Sequence, residues 1–219
     1  MKFLMPMILL GTCLIAGAEP VRGRIDIFGD QQNAIVLTTG DITSGGIIGN
    51  ASWGKTDDRK FYLTAETPLL SPNEWTKFSF SFTPEADGNI SVILKSSYAQ
   101  TKGKKQQDQV WVYWDNLLVE GVVSSGAKPV VLPVAGDVPP TAKAINGFID
   151  GSFENSDGKG WFKNAGTVIV KDKAIAQDGQ ACVKVWCTAN IGQNLKVKKG
   201  AKVTITGFAK PAEFVPAQE

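Results

Sequence analysis

Histidine is absent from the 219 residues. That one absence removes Ser-His and Cys-His nucleophile pairs, together with every His-ligated zinc or iron site. Most acid–base chemistry near neutral pH is disfavoured with it. Cysteine is scarce too. Cys13 falls in the leading apolar stretch, so only Cys182 and Cys187, in ACVKVWC, are left to the folded body. Along an extended strand, five residues of about 3.3 Å each separate the two by about 16 Å, well past the roughly 7 Å that a disulfide spans. A bond between them needs a bend; otherwise they are two small buried thiols. Their spacing matches no metal site.

Charge of one sign is also lacking. Lys and Arg number 23 against 21 Asp and Glu, a net +2, and the basic residues are scattered apart from Lys102, Lys104 and Lys105. That short run sits among Gln and Gly, as a solvated loop does, so no nucleic-acid partner is expected. Long apolar runs are missing beyond the start of the chain. There, MKFLMPMILLGTCLIAGAEP has a positive charge at Lys2, an apolar stretch from Phe3 to Ile15 and small residues at Ala16 and Ala18. This is the pattern of a secretory signal over residues 1–18, cleaved before Glu19, and it is short for a membrane span. A lipid anchor at Cys13 is the weaker rival, because Thr12 precedes the cysteine and the apolar run continues after it. The expected location is secreted or cell surface.

No stretch keeps a 3.6-residue apolar period, whereas short β-rich runs recur. The predicted strands are Arg24–Phe28, Ala34–Thr38, Lys60–Thr64, Thr76–Thr83, Asn89–Leu94, Val110–Val119, Thr167–Val170, Ala181–Thr188 and Lys202–Phe208. In TKFSFSFT, Phe78, Phe80 and Phe82 fall on one face and Ser79 and Ser81 on the other, as in a half-buried antiparallel strand. PEADG at 84–88 and NSDGKG at 155–160 supply turns. With 43% hydrophobic and 20% charged residues, the chain has material for a sizeable core. The fold class is therefore all-β, an antiparallel β-sandwich. Val122–Ile145 holds four prolines and no aromatic, a semi-extended linker between a block at 19–121 and a shorter one at 146–219.

Several stretches together resemble the carbohydrate-binding jelly rolls attached to bacterial xylanases and laminarinases. NGFIDGSFE at 146–154, the Gly160-Trp161 pair, QDGQACVKVW at 177–186 and GQNLKVKKGAKVTITGFAKP at 192–211 resemble the opening half of such a module. NEWTKFSFSFTPEADGNISVIL at 73–94 and VWVYWDNLLVEG at 110–121 resemble its closing half. The halves stand in reversed order. Three arrangements accommodate this: a circularly permuted single jelly roll closed through 122–145; a head-to-tail array in which the 146–219 block of one molecule completes the 19–121 block of the next; or two separate modules. The resemblance implies a structural calcium near the terminal strands, with Asp115 and Glu154 as carboxylate ligands. The plain alternative is that Asp115 turns the chain and Glu154 is solvated.

Sugar binding uses aromatic rings that stack on the C–H faces of pyranoses, with polar groups for the hydroxyls. Of six tryptophans, Trp53 in GNASWGKTDD is flanked as a loop platform would be. Trp161, and the pair Trp111 and Tyr113 on one side of the strand VWVYWDNLLV, follow it. Trp75, Trp114, Trp161 and Trp186 equally suit a sandwich core. Asp57-Asp58 and Asp87 are acids in polar loops, and glycoside hydrolysis needs two carboxyls held at a set separation in a cleft, so no enzyme is expected. The expectation is a non-catalytic binder of polysaccharide or surface glycan. The alternative is an adhesive surface protein that self-associates by exchanging strands.

Overall fold

The structure is a computed structural model and describes residues 21–29, 37–39, 47–49, 55–56, 59–60, 62–96, 109–123, 147–155, 158 and 160–215. The signal-like segment with Cys13, Trp53, Asp57-Asp58, the lysines at 102–105 and the proline-rich stretch from 124 to 145 lie outside them. The described residues form fifteen strands and no helix: β1 (Gly23–Gly29), β2 (Leu37–Thr39), β3 (Ile47–Gly49), β4 (Lys55–Thr56), β5 (Arg59–Lys60), β6 (Tyr62–Glu66), β7 (Thr76–Pro84), β8 (Gly88–Ser96), β9 (Gln109–Glu120), β10 (Val122–Val123), β11 (Phe162–Lys163), β12 (Thr167–Lys171), β13 (Ala181–Trp186), β14 (Ile191–Val197) and β15 (Val203–Val215).

Two antiparallel sheets pack face to face as a β-sandwich. One, with seven strands, runs β10-β14-β8-β1-β6-β3, with β11 also on β14; the other, with six, runs β12-β13-β9-β15-β7-β2. Both sheets contain strands from before and after the proline-rich stretch. β14 lies between β10 and β8, β13 lies beside β9, and β15 fills the place between β9 and β7. Without β15 the six-stranded sheet would be split in two, so the tail segment is structural to both halves of the body.

Period-2 alternation builds the core. Phe78, Phe80 and Phe82 of β7 face inward as their spacing predicts, against Ile90, Val92 and Leu94 of β8 and Ile25 and Ile27 of β1, all buried. Trp114 of β9 is fully buried, with its ring edge-on to Phe78 at 5.5 Å and 88°. Such a T-shaped pair brings the positive edge of one ring to the negative face of the other. Gly23 permits the approach: a Cβ there would stand 2.5 Å from the Trp114 ring.

The short strands β3, β4, β10 and β11 lie outside the predicted set, and two of the longer strands also differ from expectation. β14 is absent from the predicted set because Gly192, Gln193 and Asn194 read as turn residues. Gln193 is tolerated on the buried row because its side chain accepts from Ile149 N at 2.8 Å and donates to Ile149 O at 3.1 Å, which satisfies its amide. β15 runs past the expected end at Phe208 to Val215 and passes through Pro211. Proline cannot donate to a ladder, and the register on β9 shifts between Pro211 and Phe214. Cys182 and Cys187 are both buried free thiols. Cys182 lies within the strand and Cys187 just beyond it, as the geometric argument against an unbent bridge requires.

Candidate functional site

The outer face of the six-stranded sheet takes its character from a fault in β9. Val110, Val112 and Trp114 face inward, and then Leu117 and Val119 do, so the parity changes at Asp115-Asn116. On β15, Thr206 pairs with Leu118 and Phe208 with Asp115, leaving Asn116 and Leu117 opposite Gly207 alone. This is a β-bulge. Asn116 holds φ at 48°, a left-handed conformation that Asn adopts more readily than most residues. The bulge lets Trp111, Tyr113 and Asp115 share the outer side while both ends of β9 keep an apolar inner row.

Trp111 and Tyr113 are half-buried on this face, as alternation predicts. Trp111 pairs across strands with Trp186, and the rings stack with centroids 5.8 Å apart and planes 15° from parallel. Lys184 Nζ stands 4.7 Å from the centre of the Trp111 ring, within cation–π range. Tyr113 lies 6.3 Å from Trp75, tilted by 48°. One cross-strand row reads Val168, Lys184, Tyr113, Lys210. Four aromatic rings and two lysines thus occupy adjacent rows of a single surface.

Asp115 closes one end of that face beneath the segment 172–181. Its Oδ1 accepts from Asn116 N at 2.7 Å and its Oδ2 from Gln177 N at 2.9 Å. The Asn116 side-chain amide donates to Gln177 Oε1. Trp75 Nε1 donates to Ile175 O at 3.2 Å and so ties the aromatic row to the same segment. Burial is the main cause that pushes the Asp115 carboxyl up to about 6; backbone amides oppose the rise, and the Glu154 charge adds to it. Cys182, beneath the same cover, is pushed up to about 12 by burial and then by Asp115, Asp172 and Glu154. It stays a protonated thiol, poorly suited to act as a nucleophile.

Glu154 grips the end of the segment, where its Oε1 accepts from Gln180 N and Ala181 N, each at 2.8 Å. Gly179 packs directly on this carboxylate, in a left-handed turn at φ 70°. Asp115 and Glu154 come from segments on opposite sides of the proline-rich stretch and meet at one loop, electrostatically coupled. Asp150 joins them. Burial first, then Glu154, raises its carboxyl, and its Oδ2 is buried with no hydrogen-bond partner among the described residues. Among the described residues no group of three or more His, Cys, Asp or Glu has the arrangement of a metal site.

Trp161 is placed elsewhere, 6% exposed in the core. Its ring lies 5.2 Å from Phe148 and 5.3 Å from Phe153, and its indole N–H donates to Asp150 O at 3.1 Å. It anchors the 147–155 segment, which docks on the bulge through Leu117 N to Gly151 O at 2.9 Å. This is the core position that Trp161 equally suited, not a platform. Trp75, Trp186, Lys184 and Lys210 were not among the expected site residues. Alternation in ACVKVW does put Lys184 and Trp186 on one side, but only the pairing of β13 with β9 brings them to Trp111. Comparison with known protein families, with curated proteins and with solved structures finds no match to this chain.

Proposed function

We propose that the protein is a secreted, non-catalytic β-sandwich that binds polysaccharide or a surface glycan on the outer face of its six-stranded sheet. One observation carries this: Trp111, Trp186 and Tyr113 stand half-buried on adjacent rows of the sheet, with Trp75, just before β7, beside Tyr113. Pre-positioned rings cost little entropy to engage and offer apolar faces and edges to sugar C–H groups. Trp53 remains a second platform on the strength of its sequence context alone. In native gels cast with individual polysaccharides, one polymer should retard the wild type, and Trp111→Ala should lose most of that retardation while its melting temperature falls by no more than about 4 °C. Equal retardation of the two would remove the aromatic face from the binding site.

A calcium ion is proposed as a structural partner. The fit rests on the orphaned, buried Asp150 Oδ2 beside Glu154, and on the mutual repulsion of Glu154 with Asp115, which a divalent cation would offset. Asp115 and Glu154 would hold it, and its role would be to fasten segment 172–181 to the sheet. Millimolar calcium should raise the melting temperature of the chelator-treated wild type by several degrees and leave Glu154→Gln unmoved. The alternative function, self-assembly by strand exchange, predicts oligomers. The presence of both segments in the sheets of one chain supports a self-closed monomer, to be checked by the mass in solution.

A further inference from the structure

We propose that this face binds the terminal unit of a polysaccharide chain and not its interior. The inference rests on the glycan-binding reading above and names the part of the polymer that is recognised. Asp115 and Cys182 belong to the outward rows of β9 and β13, yet both are fully buried, because segment 172–181 lies over them. It leaves β12 at Lys171, passes β13 and reaches β9, where Gln177 N donates to Asp115 Oδ2 at 2.9 Å. Its Ile175 carbonyl takes the Trp75 indole N–H at 3.2 Å, just before β7 and on the far side of β15. The segment is a wall laid across the strands.

Aromatic platforms lead up to this wall from one side only. Trp111 and Tyr113 of β9 and Trp186 of β13 stand before it, whereas the outward rows beyond it hold Ser79, Thr206 and Leu118, then Ser81, Thr204 and Glu120. Tyr113 stops two residues, about 7 Å, short of the covered Asp115. Trp75 closes a second side, since it approaches Tyr113 to 6.3 Å across β15. Lys184 pairs with Tyr113 but carries its ammonium to the Trp111 ring, one row farther from the wall. Tyr113 therefore lies in a corner, with segment 172–181 on one side and an indole on the next. An interior sugar continues in two directions and needs a groove open at both ends. A terminal sugar continues in one, so it fits a corner, stacked at Trp75 and Tyr113 with its chain leaving past Trp186.

The test takes the polysaccharide that retards the wild type in native gels, intact and after partial hydrolysis, with its chain ends counted by end-group assay. In calorimetric titration of the full chain, binding sites per gram of sugar should rise in proportion to chain ends, so that doubling the ends doubles the sites. Trp75→Ala should weaken binding of the short chains severalfold. Sites per gram that stay constant or fall as the chains shorten would overturn end recognition and leave glycan binding standing. Undiminished binding of short chains by a folded Trp75→Ala variant would overturn it too. The dependence on chain ends needs no variant, so it decides the question even where Trp75→Ala fails to fold. If no polysaccharide bound, both readings would fall together.

Discussion

On the outer face of the seven-stranded sheet, Asp26 is fully buried. Arg24 Nε donates to its Oδ1 at 2.7 Å, Thr64 Oγ1 lies 3.2 Å from the same oxygen, and Lys95 Nζ approaches Oδ2 at 3.2 Å. On the outer face of the six-stranded sheet, the corresponding central lysine stands over an indole instead. The scaffold is the same antiparallel ladder in both. The first face spends its cations on a carboxylate supplied by its own strand, and Asn194 accepts from Ser91 beside it. The second sets its cations among aromatic rings and hides its one central carboxylate, Asp115, beneath a loop. A surface built round one buried ion-pair cluster holds the fold; one that leaves aromatic rings partly exposed beside a closed-off carboxylate is suited to something outside.

The largest effect that would sharpen this contrast lies between inner and outer tryptophans of one strand. Trp114→Ala should cost about 3–5 kcal/mol in denaturant unfolding, since it empties a fully buried ring site, whereas Trp111→Ala should cost about 1 kcal/mol or less. Equal losses would mean that the outer rings are core and not a binding surface.

Next comes the hidden carboxylate. Asp115 has a folded-state pKa near 6 against an ordinary 3.8, so the folded protein holds this proton more tightly than the unfolded chain. Its contribution to stability is fully present below about 3.8 and is lost as pH rises through about 6. In chelator, unfolding free energy should therefore fall across that window by at most about 3 kcal/mol, at roughly 1.4 kcal/mol per pH unit. Asp115→Asn should flatten the profile. A wild-type profile that rises through the same window would contradict the assigned burial.

The smallest effect falls on the other sheet. Asp26→Ala should destabilise by about 1–2 kcal/mol, less than for a deeply buried pair, because Arg24 and Lys95 remain 35% and 31% exposed and reach water. It should leave polysaccharide binding intact. Loss of binding in a folded Asp26→Ala variant would remove the distinction between the faces.

Much of this was legible beforehand where alternation is strict. The phenylalanine row of β7 and the outward pair Trp111 and Tyr113 follow from period-2 spacing alone. Asp115 and Glu154 could be paired only through a resemblance, because they lie on segments joined by long-range strand order. Strand β14 was hidden because its inner row includes Gln193, whose burial depends on the backbone of Ile149, 44 residues away. The Trp111–Trp186 stack was hidden for the same reason, since no local pattern tells which strand lies beside which.

Heteronuclear NMR of the six tryptophan indole N–H groups during titration with oligomers of the polysaccharide that retards the wild type in native gels tests the binding-face assignment most directly. The signals of Trp111 and Trp186 should shift, and those of Trp114 and Trp161 should hold still. Shifts confined to the inner pair, or no indole shift at saturating sugar, would contradict it.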